Sequence, residues 1–321
     1  MLKYIVKRLI QGVIVLIILS MLIFVVVRFL PGDPMLMYAS RGSLAKLTPE
    51  AVEAARHEWG LDLPIWQQYI NWIGGIFHGD LGKSFFFNTD VSKLIAERLP
   101  VTLYLGLTAF ILSSILGILV GIISALRRGK WQDYLVTVAA NIGICLPAFW
   151  ISILLMYVFG YKLGWLPISG FTSPFENFGL SISQTIMPLI VLMIFDIAGD
   201  ARQTRSSVLE VMYQDYVRTA WAKGLNEKQV VRRHILKNAL IPVISFKGMG
   251  FAYIVGGSVF VEEVFVINGI GRLATQAVMQ QDYAVIQAIV LLTGVAVVSA
   301  NLIIDVLYGV LDPRIRDAGV R

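Results

Sequence analysis

One cysteine, Cys145, and three scattered histidines, His57, His78 and His234, are all this chain has of the residues that build disulfides and most transition-metal sites. A lone cysteine forms no intrachain disulfide, and no His or Cys spacing suits a metal. Charge is scarce too, with Asp, Glu, Lys and Arg making up 15% of the residues. No Ser/His/Asp arrangement stands at the end of any apolar run, so neither hydrolase nor metalloenzyme chemistry is supported. The stretch His78-Gly79-Asp80-Leu81-Gly82-Lys83-Ser84 imitates the end of a phosphate-binding loop, but Phe77 stands where the first glycine is needed.

What fills the space is apolar. Hydrophobic residues reach 57%, against ~45–50% in an ordinary soluble domain, and the mean hydropathy is +0.73. The expected class is therefore an all-α integral membrane protein. Runs at 9–29, 100–126, 134–161, 184–204, 240–261 and 285–309 are each long enough to cross ~30 Å of hydrocarbon. Six spans place both termini on one side. The basic residues agree: Lys3, Lys7 and Arg8, the Arg127-Arg128-Gly129-Lys130 turn, the loop after the fourth span and Arg314/Arg316 all fall on the side expected to be cytoplasmic. Topology thus accounts for the net charge of +6, and nucleic acid is not needed to explain it. The start resembles a signal peptide but no small-x-small cleavage site follows, so the first run reads as a retained helix.

The chain divides into a first helix over 1–29, an extracytoplasmic helical segment over 30–99, a core over 100–312 and a tail over 313–321. The outer segment opens on the turn cluster Pro31-Gly32-Asp33-Pro34, shows a helix start at Thr48-Pro49-Glu50, and predicts a second helix from near Pro64. That helix carries Ile65, Tyr69, Trp72, Ile73 and Ile76 on one face, which should lie on the membrane or on the bundle. In the third span, Gly143 and Pro147 mark a kink, either a packing feature or a hinge beside a path.

Charges stand inside the apolar runs: Asp196 and Asp200 in the fourth, Lys247 in the fifth, Asp305 near the end of the sixth. Bare in hydrocarbon, each costs at least ~2.5–3.5 kcal/mol. Counted from the inner ends, Asp196 and Lys247 stand at similar depth, which makes them the expected pair. Structural pairing is the favoured reading, and a pathway role is the alternative.

The loop after the fourth span carries Arg202, Arg205, Arg218, Lys223, Lys228, Arg232, Arg233 and Lys237. Within it, Asp215 is placed to cap a short helix, Tyr216-Val217-Arg218-Thr219-Ala220-Trp221-Ala222-Lys223, which Gly224 and Leu225 end. Asn226 and Gln229 start the next. So short a helix is marginal alone in water. It predicts a shaped corner held against something else, either a protein partner or the lipid headgroups.

These segments resemble the permease subunits of bacterial ABC importers of the oligopeptide and dipeptide class, along nearly the whole chain. The resemblance rests on Leu30-Pro31-Gly32-Asp33-Pro34, Leu61-Asp62-Leu63-Pro64 with Gln68-Tyr69, Gly79 to Ser84, Arg98-Leu99-Pro100, Leu163-Gly164-Trp165-Leu166-Pro167, Tyr216 to Leu225, and Leu311-Asp312-Pro313-Arg314. It implies a type I importer permease fold with six transmembrane helices and a helical extracytoplasmic insertion between the first two. It also implies a multi-pass location in the bacterial inner membrane with both termini cytoplasmic.

In that family the corner is the EAA loop, here within 205–239 and centred on 215–237. Arg218-Thr219-Ala220 takes the Glu-Ala-Ala positions, and Trp221 stands where the peptide branch commonly has arginine. The implied partners are a second permease, two ATPases that bind the ATP and magnesium, a solute-binding protein and membrane lipid. The chain itself is expected to hold no metal or cofactor and to catalyse nothing. The cargo implied is a peptide, with nickel, metal chelates or oligosaccharides as alternatives. A secondary carrier driven by ions is the reading from another class, but no internal repeat supports it.

Overall fold

The computed structural model describes residues 2–29, 57, 62–251, 254, 256 and 258–311. Helix α1 is Leu2–Phe29 and α2 is Ile65–Phe77; a two-residue hairpin follows, β1 Lys83–Ser84 paired antiparallel with β2 Thr89–Asp90. Then come α3 Val91–Leu126, α4 Trp131–Cys145, α5 Ala148–Leu155 with a π-helical extension Met156–Lys162, and α6 Phe178–Met212. The short α7 Asp215–Ala222 and α8 Glu227–Gln229 lead through a π-helical stretch Val230–Leu236 into α9 Lys237–Phe251. The described residues close with α10 Val259–Val264, α11 Ile270–Gln280 and α12 Tyr283–Leu311. The turn cluster at 30–34, the helix start at Thr48-Pro49-Glu50 and the tail arginines lie outside the described residues.

Among the described residues, four helices are long and apolar enough to cross a membrane: Ile5–Phe29, Val91–Leu126, Phe178–Met212 and Tyr283–Val306, or five spans if the bent pair α4 and α5 counts as one. Of the run expected at 240–261, the described residues hold α9 up to Phe251, and Ala252, Tyr253, Val255 and Gly257 lie outside them. Proline proved a poor boundary marker. Pro100 lies inside α3, which starts nine residues earlier at Val91, because helices in a bundle tolerate the lost bond when neighbours hold them.

At 146–147 the expected kink is instead a break. Leu146 and Pro147 are both extended, and α4 and α5 diverge by 103°. The residue before proline is pushed out of the helical region and proline donates no N–H, so the helix ends there. Pro147 then starts the next one, its carbonyl accepting from Trp150 and Ile151.

Among the described residues four buried clusters hold the bundle, the smallest of which, Ile23, Val27 and Tyr283, joins α1 to α12. Val91, Leu94 and Ile95 of α3 pack with Ile270, Leu273 and Ala277 of α11 and with Val285, Ala288 and Ile289 of α12. Leu105, Ile151, Met187, Val191, Val261, Phe265 and Ile267 join α3, α5, α6 and the α10 corner. Ala125, Val208, Val217, Ala220, Val230, Ile235 and Ala239 form the fourth, under α7. Helices α3 and α6 approach closely because Gly117 and Gly121 face them: a Cβ on Gly117 would stand 2.5 Å from that of Asp200.

Helix α2 lies against α1. The Tyr69 hydroxyl meets Ser20 Oγ at 2.8 Å, the Phe24 ring touches those of Tyr69 and Trp72, and Arg28 donates to Gln68 Oε1 while lying over Phe24. Ser20 stands nine residues before the end of α1, about 13 Å down the helix. Tyr69 and Trp72 therefore meet the bundle as expected, but Ile65 is exposed with Trp66, Ile70 and Phe77, leaving α2 apolar on both sides.

Candidate functional site

The corner between α6 and α9 is a compact knob. Val217 and Ala220, three residues apart, turn to the bundle and are buried among Ala125, Val208, Val230, Ile235 and Ala239. That spacing leaves Tyr216, Arg218, Thr219, Trp221 and Lys223 on the outside, all exposed. At the start, Asp215 is not the cap. Gln214 takes that place, its carbonyl accepting from Val217 and Arg218, and Asp215 is the first helical residue, 3.5 Å from Arg218. An acid in the first turn still suits the helix dipole.

At the other end Gly224 adopts φ +75°. Its N–H donates to Trp221 O at 2.9 Å, and Leu225 N–H reaches back to Ala220 O at 3.4 Å, the bond pair of a Schellman stop. The second start forms as read: Asn226 Oδ1 accepts from Gln229 N–H at 2.9 Å. Asn238 Nδ2 donates to the Tyr216 hydroxyl and ties the knob to α9. Arg202 and Arg205 belong to α6 and not to the loop.

Sequence reading missed the clamp above the knob. Arg205 grips Asp133 with both arms, Nε to Oδ1 at 2.7 Å and Nη2 to Oδ2 at 3.0 Å. Ser124 Oγ and the Gly129 N–H donate to the same carboxylate. This joins the α3–α4 turn to α6. The available signal was an acid in the first turn of α4, right after a basic turn, but pairing 72 residues apart has no local signature.

The intramembrane charges do meet, in a different order. Lys247 Nζ stands 2.8 Å from Asp200 Oδ2 and 3.7 Å from Asp196 Oδ2. Lys247 also donates to Ser113 Oγ at 3.1 Å and lies over the Phe110 ring. The expected Asp196 partner is thus the farther one, because Asp196 and Asp200 share a helix face one turn apart. Asp305 pairs with Arg8 at 3.2 Å. Gly143 packs on Ile194 and Ala198 of α6, and Pro147 starts α5. Cys145, at the break, is exposed.

On the opposite end of the bundle, Glu262 is fully buried. It accepts from Thr102 Oγ1, Ser258 Oγ and the Arg272 N–H, while Thr102 Oγ1 accepts from Ile270 N–H. Ser84, from the false phosphate loop, donates to Asp282 at the start of α12. Among the described residues there is no group of three His, Cys, Asp or Glu placed to hold a metal.

Residues 117–317 match the model of the binding-protein-dependent transport system inner membrane component, and residues 1–106 match that of the N-terminal part of such a membrane component. A putative peptide transport system permease protein of Brucella abortus is 41% identical over 313 residues, covering 97% of this chain and 98% of its own. The oligopeptide transport system permease protein AppB of Bacillus subtilis is 39% identical (98% of this chain, 99% of that one). The glutathione transport system permease protein GsiC of Escherichia coli is 40% identical, with the same coverage. Among solved structures, the crystal structure of an amino acid ABC transporter with histidines aligns at 17% identity and TM-score 0.48, covering 67% of this chain and 93% of that one. The chain is a multi-pass membrane protein and belongs to the family of inner membrane components of binding-protein-dependent transport systems.

Proposed function

We propose that this chain is one membrane-spanning half of an ATP-driven importer of peptides. The observation that carries the reading is the knob at α7, whose inner face is sealed into the ends of α3, α6 and α9 while Arg218, Trp221 and Lys223 face outward. A helix held this way transmits a push as a rigid body, which a floppy loop cannot. Peptide as cargo is supported by relatives named for peptide, oligopeptide and glutathione transport.

The working complex holds this chain, a second permease, two cytoplasmic ATPases and an extracytoplasmic solute-binding protein in the inner membrane. Both termini and the knob face the cytoplasm. ATP and magnesium sit in the ATPases, and this chain catalyses nothing. Nucleotide binding draws the ATPases together, the knob follows its groove, and the attached helices turn between outward-open and inward-open arrangements. The energy enters only through differential contacts the partners make in the two states.

The test is reconstitution of the five-part complex in vesicles. Uptake of a labelled peptide requires ATP and the binding protein, and Arg218→Glu with Trp221→Ala lowers both uptake and ATPase retention while the chain stays in the membrane. Uptake by the purified chain alone, driven by an ion gradient, refutes the proposal.

A further inference from the structure

We infer that Asp196 is a recognition point for a cationic group of the cargo, the free α-ammonium of a peptide or a basic side chain, on the route through the membrane. This rests on the reading of the chain as half of a peptide importer. The cluster at Lys247 holds two carboxylates and one ammonium. Lys247 and Asp200 form the closer contact, 2.8 Å, and their side chains are 11% and 3% exposed. That pair is neutral and sealed. Asp196 is left over, its side chain 42% exposed and its Oδ2 at 3.7 Å from Lys247 and 3.5 Å from Ser113 Oγ. No hydrogen bond to its Oδ1 is found among the described residues.

Asp196 lies near the midpoint of the 35-residue α6, where a carboxylate cannot face hydrocarbon and must open on water or protein. The stripe it belongs to stays partly exposed at Gly199 and Gln203, three and seven residues on, and Gln203 adds a polar side chain to it. The Phe246 ring lies over Gly199, one turn away. A surplus negative charge on a partly exposed face, with an aromatic ring packed one turn along the same helix, is the chemistry that takes an ammonium. Lys247, close but engaged elsewhere, weakens the attraction, so a cation pauses there and leaves. A transport site has to release what it binds.

The experiment uses the complete transporter in vesicles and compares one short peptide with a free and with an acetylated amino terminus. In Asp196→Asn, uptake of the free-amine peptide falls about tenfold more than that of the blocked one, the effect of roughly one charge-assisted contact. In a Cys145→Ser background, Asp196→Cys reacts with a water-soluble thiol reagent, at a rate that changes with nucleotide. Equal losses for both peptides, or no labelling in any nucleotide state, overturn the inference. Absence of peptide uptake by the unaltered complex sinks the peptide reading, and this inference with it; the other two failures sink this inference alone.

Discussion

Lys247 reaches Asp200 at 2.8 Å and Asp196 at 3.7 Å, so the fifth expected span is tied to the fourth through the deeper-buried carboxylate. Removing one partner of a buried pair leaves an uncompensated charge. Lys247→Met should therefore destabilise the detergent-solubilised protein by about 3–5 kcal/mol. Asp200→Asn in the same chain restores much of that loss and Asp196→Asn restores little. A thermal-unfolding double-mutant cycle checks it, and a larger coupling energy for Asp196 than for Asp200 contradicts the assignment.

Gly224 holds φ +75° with open space where a Cβ would go, so its role is conformational and not one of room. Gly224→Val should cost on the order of 1–2 kcal/mol at that residue, loosen the α7 stop, and reduce ATP-coupled uptake while membrane insertion is kept. Gly224→Asn, which tolerates the left-handed region, retains most activity. Equal activity of the two variants speaks against the stop as a stiffening element.

Arg205 holds Asp133 through two parallel bonds. Arg205→Lys supplies the charge but not the fork, so it recovers only part of the stability lost in Arg205→Met, itself about 3 kcal/mol. Thermal unfolding of the three proteins decides, and full rescue by lysine excludes a geometric role for the fork.

The sequence carried the long elements well, since apolar runs survive small errors in boundaries, and it carried the Gly224 stop because only a few residues accept that backbone. It did less well on azimuth and on distance. Counting residues along two helices fixes depth, and Asp196 and Asp200 differ by a single turn, so depth alone could not choose between them. The Asp133 clamp and the Glu262 knot join segments 72 and 160 residues apart, and no local pattern records such meetings. At Leu146 and Pro147 the residue types announced an interruption, but the 103° angle is set by what each arm packs against.

Glu262 accepts three hydrogen bonds among residues of α3, α10 and α11. Glu262→Gln places an NH₂ group among donors and should lower stability by about 1–3 kcal/mol, read as a fall in melting temperature; Glu262→Asp, too short to reach all three, falls at least as far. An unchanged melting temperature in both variants shows the knot to be dispensable.

The break at Leu146 and Pro147 gives one chain two separate loyalties. Arm α4 is moored through Asp133 to the region of the knob, and arm α5 through Ile151 to the Phe265 cluster at the far end. Between them lie two extended residues, so each arm can follow its own anchor, and the reorientation is confined to a handful of backbone torsions rather than bending a continuous rod.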